Sequence, residues 1–251
     1  MKRYHYREIG STSDEARRLL EEGRIQGSAL VTAEVQTGGR GRNGRRWMSP
    51  RGGLWMTRVL SPGVSQALWP LYPLLAGVAA VGAIDAVAGV QAQLKWPNDV
   101  LWGGRKLGGI LCEGLQGHIL IGLGINVSIE WERWTTAGFE PVDLQTAAGG
   151  LKARASEVIA DLAYGVNCQI DRLCVVFEES PERILGTWRR HCCIFGRDVR
   201  VLAGEQVYEG VARDIADDGA LMVQMPDGRV RRFYSGDVSL RLRGEGDDRT
   251  R

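Results

Sequence analysis

Four short apolar segments follow one another between residues 91 and 128, and they restrict the fold more than any other part of the chain. They read QAQLKW, DVLW, KLGGILCEG and HILIGLGINVS, with the turn sequences PND and GGR between the first three. Segments of this length are typical of strands, and such short connections join neighbouring strands that run in opposite directions. The sequence therefore predicts a run of consecutive antiparallel strands in this region.

Helices and further strands are predicted on both sides of this run. STSDEARRLLEEG begins with capping hydroxyls and ends at a glycine, which indicates a helix, whereas SALVTAEV and GGLWMTRVL read as strands. SEVIADLAYGVNCQIDRLCVVFEE and SPERILGTWRRH read as two more helices, and five short alternating segments after Phe195 predict a small β-barrel. The predicted fold class is therefore α+β: a mixed β-sheet flanked by helices in residues 1–192, a small barrel in residues 193–243 and a disordered tail at 244–251.

The segment GGRGRNG, residues 38–44, contains the G-x-G-x-x-G spacing of a dinucleotide-binding turn. Such a turn requires a helix directly after its third glycine, so that the helix N-terminus faces the pyrophosphate. RRWMSPRGG follows instead, its proline and paired glycines disfavour a helix, and no acidic residue for a ribose occurs before Asp85. The sequence thus excludes a dinucleotide-binding turn, and the lack of a G-K-S/T motif excludes a Walker loop.

The same segment has the composition of an anion-binding loop. The formal net charge of the chain is only +2, which gives no reason to expect a polyanion ligand, but six arginines and no acidic residue lie between Glu34 and Asp85. Arginine side chains bind carboxylate and phosphate oxygens two at a time, and glycines let the backbone approach a ligand. Trp47 adds a flat face for a ring. This combination favours a ligand with both a carboxylate and phosphates, such as an acyl-adenylate.

A second group of residues with chemical potential lies between residues 95 and 114. Lys95 and Lys106 flank the predicted hairpin, and Gly108–Gly109 would let a ligand lie against the strand after Lys106. A lysine on a hairpin is usually solvated, but the apolar and glycine-rich neighbours favour one directed into a cleft. The glycines of IGLGINVS, residues 121–128, indicate a further close approach of the backbone.

The cysteines, the N-terminal segment and one long uncharged run indicate where the protein is located and whether it binds a metal. The five cysteines have no framework spacing and no C-x-x-C, which predicts free thiols in a reducing, cytoplasmic compartment. In HCC, residues 191–193, the adjacent cysteines splay apart and make a poor metal site. The N-terminal MKRYHYREIGST lacks the apolar core of a signal peptide. The uncharged run 59–84 contains three prolines, so that a loop and a buried helix are predicted there rather than a membrane span.

Together these motifs resemble those of biotin–protein ligases. That family carries G-R-G-R-x-G-R-x-W, K-W-P-N-D, R-K-L-x-G-I-L and G-x-G-I-N, which correspond to Gly39–Trp47, Lys95–Asp99, Arg105–Leu111 and Gly122–Asn126. A serine–threonine pair before the first helix corresponds to Ser11 and Thr12. The resemblance extends to about Val127 and implies a class II synthetase-like catalytic core, with the C-terminal barrel of the SH3-like kind. It also implies that biotin and ATP, with Mg²⁺, form biotinyl-5′-AMP, from which biotin passes to a lysine of a biotin carboxyl carrier protein.

The resemblance further implies which residues form the site. Lys106, Arg42 and Arg40 are expected to be catalytic by neutralising the carboxylate and the phosphate, with Lys106 as the most important single charge. The residues expected at biotin are Ser11, Thr12, Ser13, Gln36, Gly39, Arg40, Gly41, Arg42, Lys106, Gly109, Leu111 and Gly122. The residues expected at ATP are Arg42, Arg45, Trp47, Asn98, Lys106 and Asn126, and Asp99 is expected to help place Mg²⁺.

Simpler explanations stay open for several of these residues. Ser11 and Thr12 also fit a helix cap, and Gln36 fits the end of a strand. Asn98 and Asp99 also fit a turn. In the segment 128–150, which no family motif matches, the tryptophans at 131 and 134 either cover adenine or only pack.

Other functions fit parts of the sequence less well. A lipoate–protein ligase shares the core fold and the adenylation step, but its R-R-x-S-G-G-G motif is absent here. A nucleic-acid-binding module is disfavoured by the near-neutral charge and by the lack of aromatic residues interleaved with basic ones. A degenerate ligase kept as a scaffold is disfavoured by the intact Lys106 and loop arginines. Monomers and homodimers both occur in the family, and the sequence does not decide between them.

The chain begins almost directly at the predicted catalytic domain, whereas repressor members of the family carry a winged-helix module before it. We therefore predict a ligase that binds no DNA and does not regulate transcription. A mobility-shift assay of operator-like DNA with the protein and biotinyl-AMP should show no tight complex. A tight complex would refute this prediction.

Overall fold

The computed structural model describes residues 1–131 and 140–240, which form a mixed β-sheet with helices and a second, smaller sheet. The first sheet consists of β1 (Lys2–Ile9), β2 (Ala29–Gln36), β3 (Gly53–Leu60), β4 (Gln93–Lys95), β5 (Asp99–Trp102), β6 (Arg105–Leu115) and β7 (His118–Asn126). The helices are α1 (Thr12–Glu21), α2 (Tyr72–Ala88), α3 (Leu144–Ala147), α4 (Ala155–Glu179) and α5 (Pro181–His191). The second sheet consists of β8 (Asp198–Ala203), β9 (Gln206–Ile215), β10 (Leu221–Gln224), β11 (Val230–Phe233) and β12 (Asp237–Leu240). The predicted α+β fold class is confirmed.

The first sheet has the strand order β1-β2-β3-β7-β6-β5-β4. β1 and β2 are parallel, and the other neighbouring strands are antiparallel. The predicted run of antiparallel strands is confirmed, because β4 to β7 pair one after another. Gly109 pairs with Gly124 and Leu111 with Gly122, so that two of the predicted motifs lie side by side on β6 and β7.

The strand β1 was not predicted from the sequence. Its sequence KRYHYREI is mostly polar, and most of its side chains are exposed at the edge of the sheet. It pairs with β2 along nearly its whole length. Backbone pairing with a buried neighbour therefore determines this strand, rather than any pattern in its own side chains.

Helices cover both faces of the first sheet. Ala16 and Leu19 of α1 cluster with Ala29 and Val31 of β2. Leu30, which lies between those two residues, belongs instead to the larger core that contains α2, α4 and α5. Because successive residues of a strand point to opposite faces, α1 lies on one face and α2, α4 and α5 lie on the other.

The apolar run around α2 is a core helix. The segment Gln66–Ala88 has the length and composition of a membrane-spanning helix, but two thirds of its most apolar stretch is buried inside the protein. It consists of a 3-10 helix over Gln66–Leu71 and of α2, which packs against α4, α5 and the sheet. The predicted buried helix is confirmed, whereas the loop predicted before it is irregular at 61–65 and then forms the 3-10 helix.

The second sheet, hereafter the C-terminal sheet, is antiparallel and has the order β11-β10-β9-β8-β12. Its residues Val199, Val201 and Leu221 belong to the same hydrophobic core as α2. The predicted boundary at 192/193 falls between α5 and β8. The two predicted units, and the SH3-like form of the second, stay predictions, and the predicted tail at 244–251 lies outside the described residues.

One buried hydrogen bond joins the two sheets. Trp96 is 2% exposed, and its Nε1 donates to Gly219 O at 2.9 Å. We expect Trp96→Phe to lower the free energy of unfolding by roughly 1–3 kcal/mol, because the Gly219 carbonyl loses its donor inside the protein. Urea denaturation measures this change.

The matched control is Trp69→Phe. Among residues 1–131 and 140–240, Trp69 Nε1 has no hydrogen-bond partner, so that this substitution removes an indole without breaking a hydrogen bond. We expect a clearly smaller loss for this control. Equal losses for the two variants would contradict a specific role for the Trp96–Gly219 bond.

Candidate active site

A cavity of about 1140 Å³ lies between the first turn of α1, the strands β5 to β7, the C-terminal sheet and residues 38–47, hereafter the arginine loop. Most of the residues predicted for the site line this cavity. They are Ser11, Thr12, Ser13, Gln36, Arg40, Gly41, Arg42, Arg45, Trp47, Asn98, Asp99, Lys106, Gly109, Leu111 and Gly122. The fold therefore brings the separate sequence motifs to one place.

The first turn of α1 contributes a buried cluster of uncharged polar groups. Thr12 donates to Gln36 Oε1 from both its backbone N, at 2.8 Å, and its Oγ1, at 3.0 Å. Thr57 Oγ1 donates to Thr12 Oγ1 at 2.9 Å and lies 3.1 Å from Ser13 Oγ. These four residues, hereafter the hydroxyl cluster, provide donors and acceptors without a net charge, which suits a neutral polar ligand.

Ser11 and Thr57 both lie in this region, and only Ser11 was predicted from the sequence to belong to the site. The helix-cap explanation of Ser11 holds, since the Asp14 backbone N donates to Ser11 Oγ at 3.4 Å, yet Ser11 also lines the cavity. Thr57 was missed, although it is fully buried in β3. A threonine within the apolar strand GLWMTRVL was the signal that could have found it, because a buried hydroxyl requires a partner.

The arginine loop folds back on itself. Trp47 N donates to Gly39 O at 2.8 Å, and Asn43 and Gly44 have left-handed backbones with φ of 56° and 71°. Glycine adopts this conformation without strain, and asparagine tolerates it better than most residues. Arg45 is then extended, with φ −67° and ψ 145°. The chain continues to β3 without the helix that a dinucleotide-binding turn requires.

Trp47 packs across the two glycine motifs. A Cβ atom at Gly124 would lie 2.6 Å from Trp47 Nε1, and one at Gly109 would lie 3.2 Å from the same indole. Larger side chains would therefore displace the ring. Lys106 Nζ lies 5.2 Å from the ring centroid, within the range of a cation–π contact. The glycines of β6 and β7 thus hold a flat aromatic face beside the predicted catalytic lysine.

Lys106 is held by a carboxylate that it shares with Lys95. Asp99 Oδ1 lies 2.6 Å from Lys106 Nζ, and Asp99 Oδ2 lies 2.9 Å from Lys95 Nζ. Burial alone would raise the pKa of Asp99, but the two ammonium groups outweigh it and hold this pKa below its ordinary value. Asp99 therefore stays ionised and fixes the position of Lys106.

The prediction that Asp99 helps place Mg²⁺ finds no support in this geometry. Both of its oxygens contact ammonium groups. In the part of the chain that the structure describes, no group of three or more His, Cys, Asp or Glu side chains could hold a metal ion. The residues present do not fit a resident metal at Asp99, and Mg²⁺ would depend on the phosphates of a bound nucleotide for its ligands.

Arg42 and Arg45 connect the arginine loop to the C-terminal sheet. Arg42 Nη1 donates to Gly236 O at 3.3 Å and to Asn98 Oδ1 at 3.4 Å. Arg45 forms an ion pair with Asp237. Burial lowers the pKa of Arg42, but a guanidinium stays charged at physiological pH. Both arginines are thus fixed by oxygens far away in the sequence.

Arg40 lies at the other end of the loop and contacts two carboxylates. Its Nη2 lies 2.8 Å from Glu113 Oε2 and 2.8 Å from Asp14 Oδ1. The sequence did not predict either acid. The expected contact of Arg40 with the carboxylate of a ligand stays a prediction, and these two acids already compensate its charge.

Gly39 and Asn126 were predicted for the site but do not belong to the cavity lining that the described residues form. A Cβ atom at Gly39 would lie 2.4 Å from Trp47 O, which gives this glycine a packing role. Asn126 is buried, and its Nδ2 donates to Val142 O at 3.0 Å and to Lys106 O at 3.3 Å. The geometry therefore gives no support to a nucleotide contact by Asn126.

The segment 128–150 is only partly described. Asp143 caps α3, and its carboxylate also accepts from Ile129 N at 2.9 Å. Trp131 does not line the cavity as far as residues 1–131 and 140–240 define it. Trp134 lies outside the described residues, so that its predicted choice between adenine and packing stays open.

The C-terminal sheet supplies a wall that sequence reasoning missed. Its residues in the lining are Arg200, Leu202, Val207, Asp237, Val238, Ser239 and Leu240. None of them lies in a recognisable motif. Their place in the site follows from how the C-terminal sheet packs on the first, which local sequence does not reveal.

The lining combines an uncharged polar end with a cationic end. The hydroxyl cluster suits a neutral polar ring, whereas Lys106, Arg42 and Arg45 suit carboxylate and phosphate oxygens. Among the described lining residues there is no cysteine or histidine that could act as a nucleophile or base. The arrangement can therefore catalyse a reaction between anions by alignment and by electrostatic stabilisation.

Comparisons with known proteins agree with this chemistry. Residues 7–129 match the model of the "Biotin/lipoate A/B protein ligase family", and residues 194–241 match that of the "Biotin protein ligase C terminal domain". The chain is 34% identical over 249 residues to the bifunctional ligase/repressor BirA of Bacillus spizizenii, covering 92% of this chain and 72% of that protein. It is 33% identical over 241 residues to the biotin–[acetyl-CoA-carboxylase] ligase of Mycobacterium tuberculosis, covering 92% and 86%. The structure of the Aquifex aeolicus biotin protein ligase in complex with biotin and ATP superposes with a TM-score of 0.77 at 27% identity, covering 96% of this chain and 98% of that one.

The Lys95–Asp99–Lys106 arrangement predicts a pH-dependent effect on stability. We expect Asp99→Asn to lower the free energy of unfolding by roughly 3 kcal/mol at neutral pH, because two ammonium groups lose a buried counter-charge. The pKa of Asp99 lies below its ordinary value of 3.8, so that its contribution is complete above that value and is lost as the pH falls through the lowered pKa.

The measurement is urea denaturation of wild type and Asp99→Asn at about pH 7, 5 and 3 or below. The difference between the two proteins should stay constant between the first two values and shrink at the lowest. A difference that grows on acidification would refute the assignment of Asp99 as an ionised, paired carboxylate.

Proposed function

Since the chain belongs to the biotin/lipoate A/B protein ligase family, we propose that it is an ATP-dependent biotin–protein ligase. It forms biotinyl-5′-AMP and pyrophosphate from biotin and ATP, and then transfers the biotinyl group to a lysine of a biotin carboxyl carrier protein. The names of the relatives and the solved ligase bound to biotin and ATP support these substrates. The observation in the structure that carries the proposal is that Thr12, Ser13 and Gln36 of the hydroxyl cluster line the same cavity as Arg42 and Lys106.

The hydroxyl cluster is proposed to bind the ureido ring of biotin. That ring is neutral and has both donors and acceptors, which match the hydroxyl and amide groups of Thr12, Ser13 and Gln36. Each polar group left unpaired on burial would cost roughly 1–3 kcal/mol. Gly109 and Gly122 leave room for the ring beside β6 and β7.

In the first half-reaction a carboxylate oxygen of biotin attacks the α-phosphorus of ATP, and the bond from this phosphorus to the departing pyrophosphate breaks. Both reactants are anionic, so that their approach is opposed by repulsion. Lys106 and Arg42 provide fixed positive charge where the two groups must meet. Asp99 fixes the lysine, and Gly236 O and Asn98 fix the guanidinium, so that little reorganisation is needed during the reaction.

In the second half-reaction the neutral amine of the acceptor lysine attacks the carbonyl carbon of biotinyl-5′-AMP. The bond between this carbon and the phosphate oxygen breaks, AMP leaves, and the amine loses a proton as the amide forms. The negative charge that collects on the phosphate needs the same cations as before. Lys106 is therefore proposed to act in both halves of the reaction.

The proposal includes the metal ion, the cellular location and the choice of biotin over lipoate. Mg²⁺ is proposed to enter with ATP, bound mainly by its phosphates, because Asp99 is engaged by lysines. A cytoplasmic location is proposed because all five cysteines are free thiols. Biotin is preferred to lipoate because the arginine loop reads GGRGRNG and the named relatives are biotin ligases.

Pyrophosphate exchange into ATP tests the first half-reaction. We expect exchange that depends on biotin and is not supported by lipoate. Lys106→Ala should slow it by about 100-fold or more, the usual effect of removing one preorganised contact to the transition state. Lys152→Ala is the matched control, since Lys152 is an exposed lysine that does not line the cavity of the described residues, and it should leave the rate unchanged.

The outcomes separate the substrate from the residue. Exchange driven by lipoate but not by biotin would overturn the proposed function. Exchange that depends on biotin but is unaffected by Lys106→Ala would leave the ligase in place and remove the role given to this lysine.

A further inference from the structure

The contacts of Arg40 lead to an inference that rests on the proposed function and extends it. Four charged side chains meet at the edge of the cavity: Arg40 of the arginine loop, Asp14 and Arg17 of α1, and Glu113 of β6. We call this group the Arg40 clasp. Only Arg40 belongs to a sequence motif, and none of the other three residues has a role in the reaction described above.

The geometry of the clasp centres on Glu113. Arg40 donates to both of its oxygens, from Nη1 to Oε1 at 3.2 Å and from Nη2 to Oε2 at 2.8 Å. Arg17 Nη2 donates to Glu113 Oε1 at 3.3 Å, and Arg40 Nη2 also lies 2.8 Å from Asp14 Oδ1. A guanidinium bound to both oxygens of one carboxylate is held in orientation as well as in position.

The surroundings make this contact stronger than an ordinary surface ion pair. The Glu113 side chain is only 22% exposed and that of Arg40 is 35% exposed, so that water and salt screen the pair less than they would at the surface. The two arginines and two acids balance in charge. The clasp therefore needs no ligand to balance its charge.

The clasp joins the loop to the elements that carry the proposed biotin contacts. Asp14 directly follows Ser13 on α1, and Glu113 lies two residues after Leu111 on β6. A loop fastened at these two points is fastened to the walls of the biotin end of the cavity. The position of the loop is thus coupled to the part of the site that is proposed to hold the biotin ring.

One donor of Arg40 remains for a ligand. Its Nε is buried and finds no hydrogen-bond partner among the described residues. A buried N–H without a partner is unfavourable, and an oxygen of the bound intermediate can supply that partner. Glu113 and Asp14 contact the Nη1 and Nη2 atoms of Arg40, so that the Nε–H of the guanidinium stays available to a ligand.

We propose that Glu113, assisted by Asp14, is a positioning residue that fixes Arg40 and keeps the arginine loop closed over biotinyl-5′-AMP. Glu113 does not touch the reacting atoms and acts through Arg40. Its function is to slow the escape of the activated intermediate until the acceptor lysine arrives. The bulk of the positive charge for catalysis then comes from Lys106 and Arg42.

The test measures the release of the intermediate directly. Purified biotinyl-5′-AMP is added to the protein, and its association and dissociation rate constants are measured by the change in tryptophan fluorescence on rapid mixing. We expect Glu113→Gln to raise the dissociation rate constant about tenfold, as expected for the loss of a charged hydrogen-bonded contact, and to leave association unchanged. Glu113→Asp keeps the charge and should recover part of the slow release.

A double-mutant cycle tests whether Glu113 acts through Arg40. Arg40→Gln alone should also speed release, and adding Glu113→Gln to it should produce no further change. The matched control is Glu22→Gln, which removes the carboxylate directly after α1 that pairs with Arg18 at 2.5 Å, and it should release the intermediate at the wild-type rate. Thermal unfolding of each variant checks that it is folded.

The outcomes distinguish this inference from the proposed function. A wild-type protein that does not bind biotinyl-5′-AMP would refute the proposed function itself. Binding with a dissociation rate that Glu113→Gln leaves unchanged would refute the clasp alone. Additive effects of Arg40→Gln and Glu113→Gln would also refute it, because Glu113 would then act independently of Arg40.

Discussion

The site depends on holding several positive charges close together in one cavity without a ligand to balance them. Like charges repel strongly where water is partly excluded, so that each cation needs a fixed oxygen nearby. The structure meets this requirement from separate elements. Lys95 and Lys106 share Asp99, Arg42 donates to Asn98 and Gly236 O, and Arg45 and Arg40 pair with carboxylates outside the loop.

Because these oxygens come from different elements, they also determine where the arginine loop lies. Asp14 and Glu113 hold its beginning against α1 and β6, while Asp237 and Gly236 hold its centre against the C-terminal sheet. The C-terminal sheet is therefore a wall of the site. The buried bond from Trp96 to Gly219 keeps that wall in place.

The sequence predicted local structure correctly where a short pattern is compatible with only one kind of backbone conformation. The turn sequences between apolar segments predicted β4 to β7, and the proline and glycines after Gly44 excluded a helix there. It failed for β1, whose polar side chains carry no strand pattern because pairing with β2 creates the strand. The assignments of Asn126 to ATP and of Asp99 to a metal stay predictions, because the amide of Asn126 donates to the backbone and the carboxylate of Asp99 pairs with lysines, which supports neither.

The cationic loop, the lysine beside the glycine strand and the polar start of α1 could be predicted without a structure, because they depend on residue types and short spacings. The contacts of each cation, in contrast, depend on how distant parts of the chain come together in the fold. Glu113 is 73 residues from Arg40 and Asp237 is 192 residues from Arg45, and a lone acid carries no local mark of its partner. A carbonyl such as Gly236 O carries none at all, since every residue has one and only the fold selects which of them faces the site.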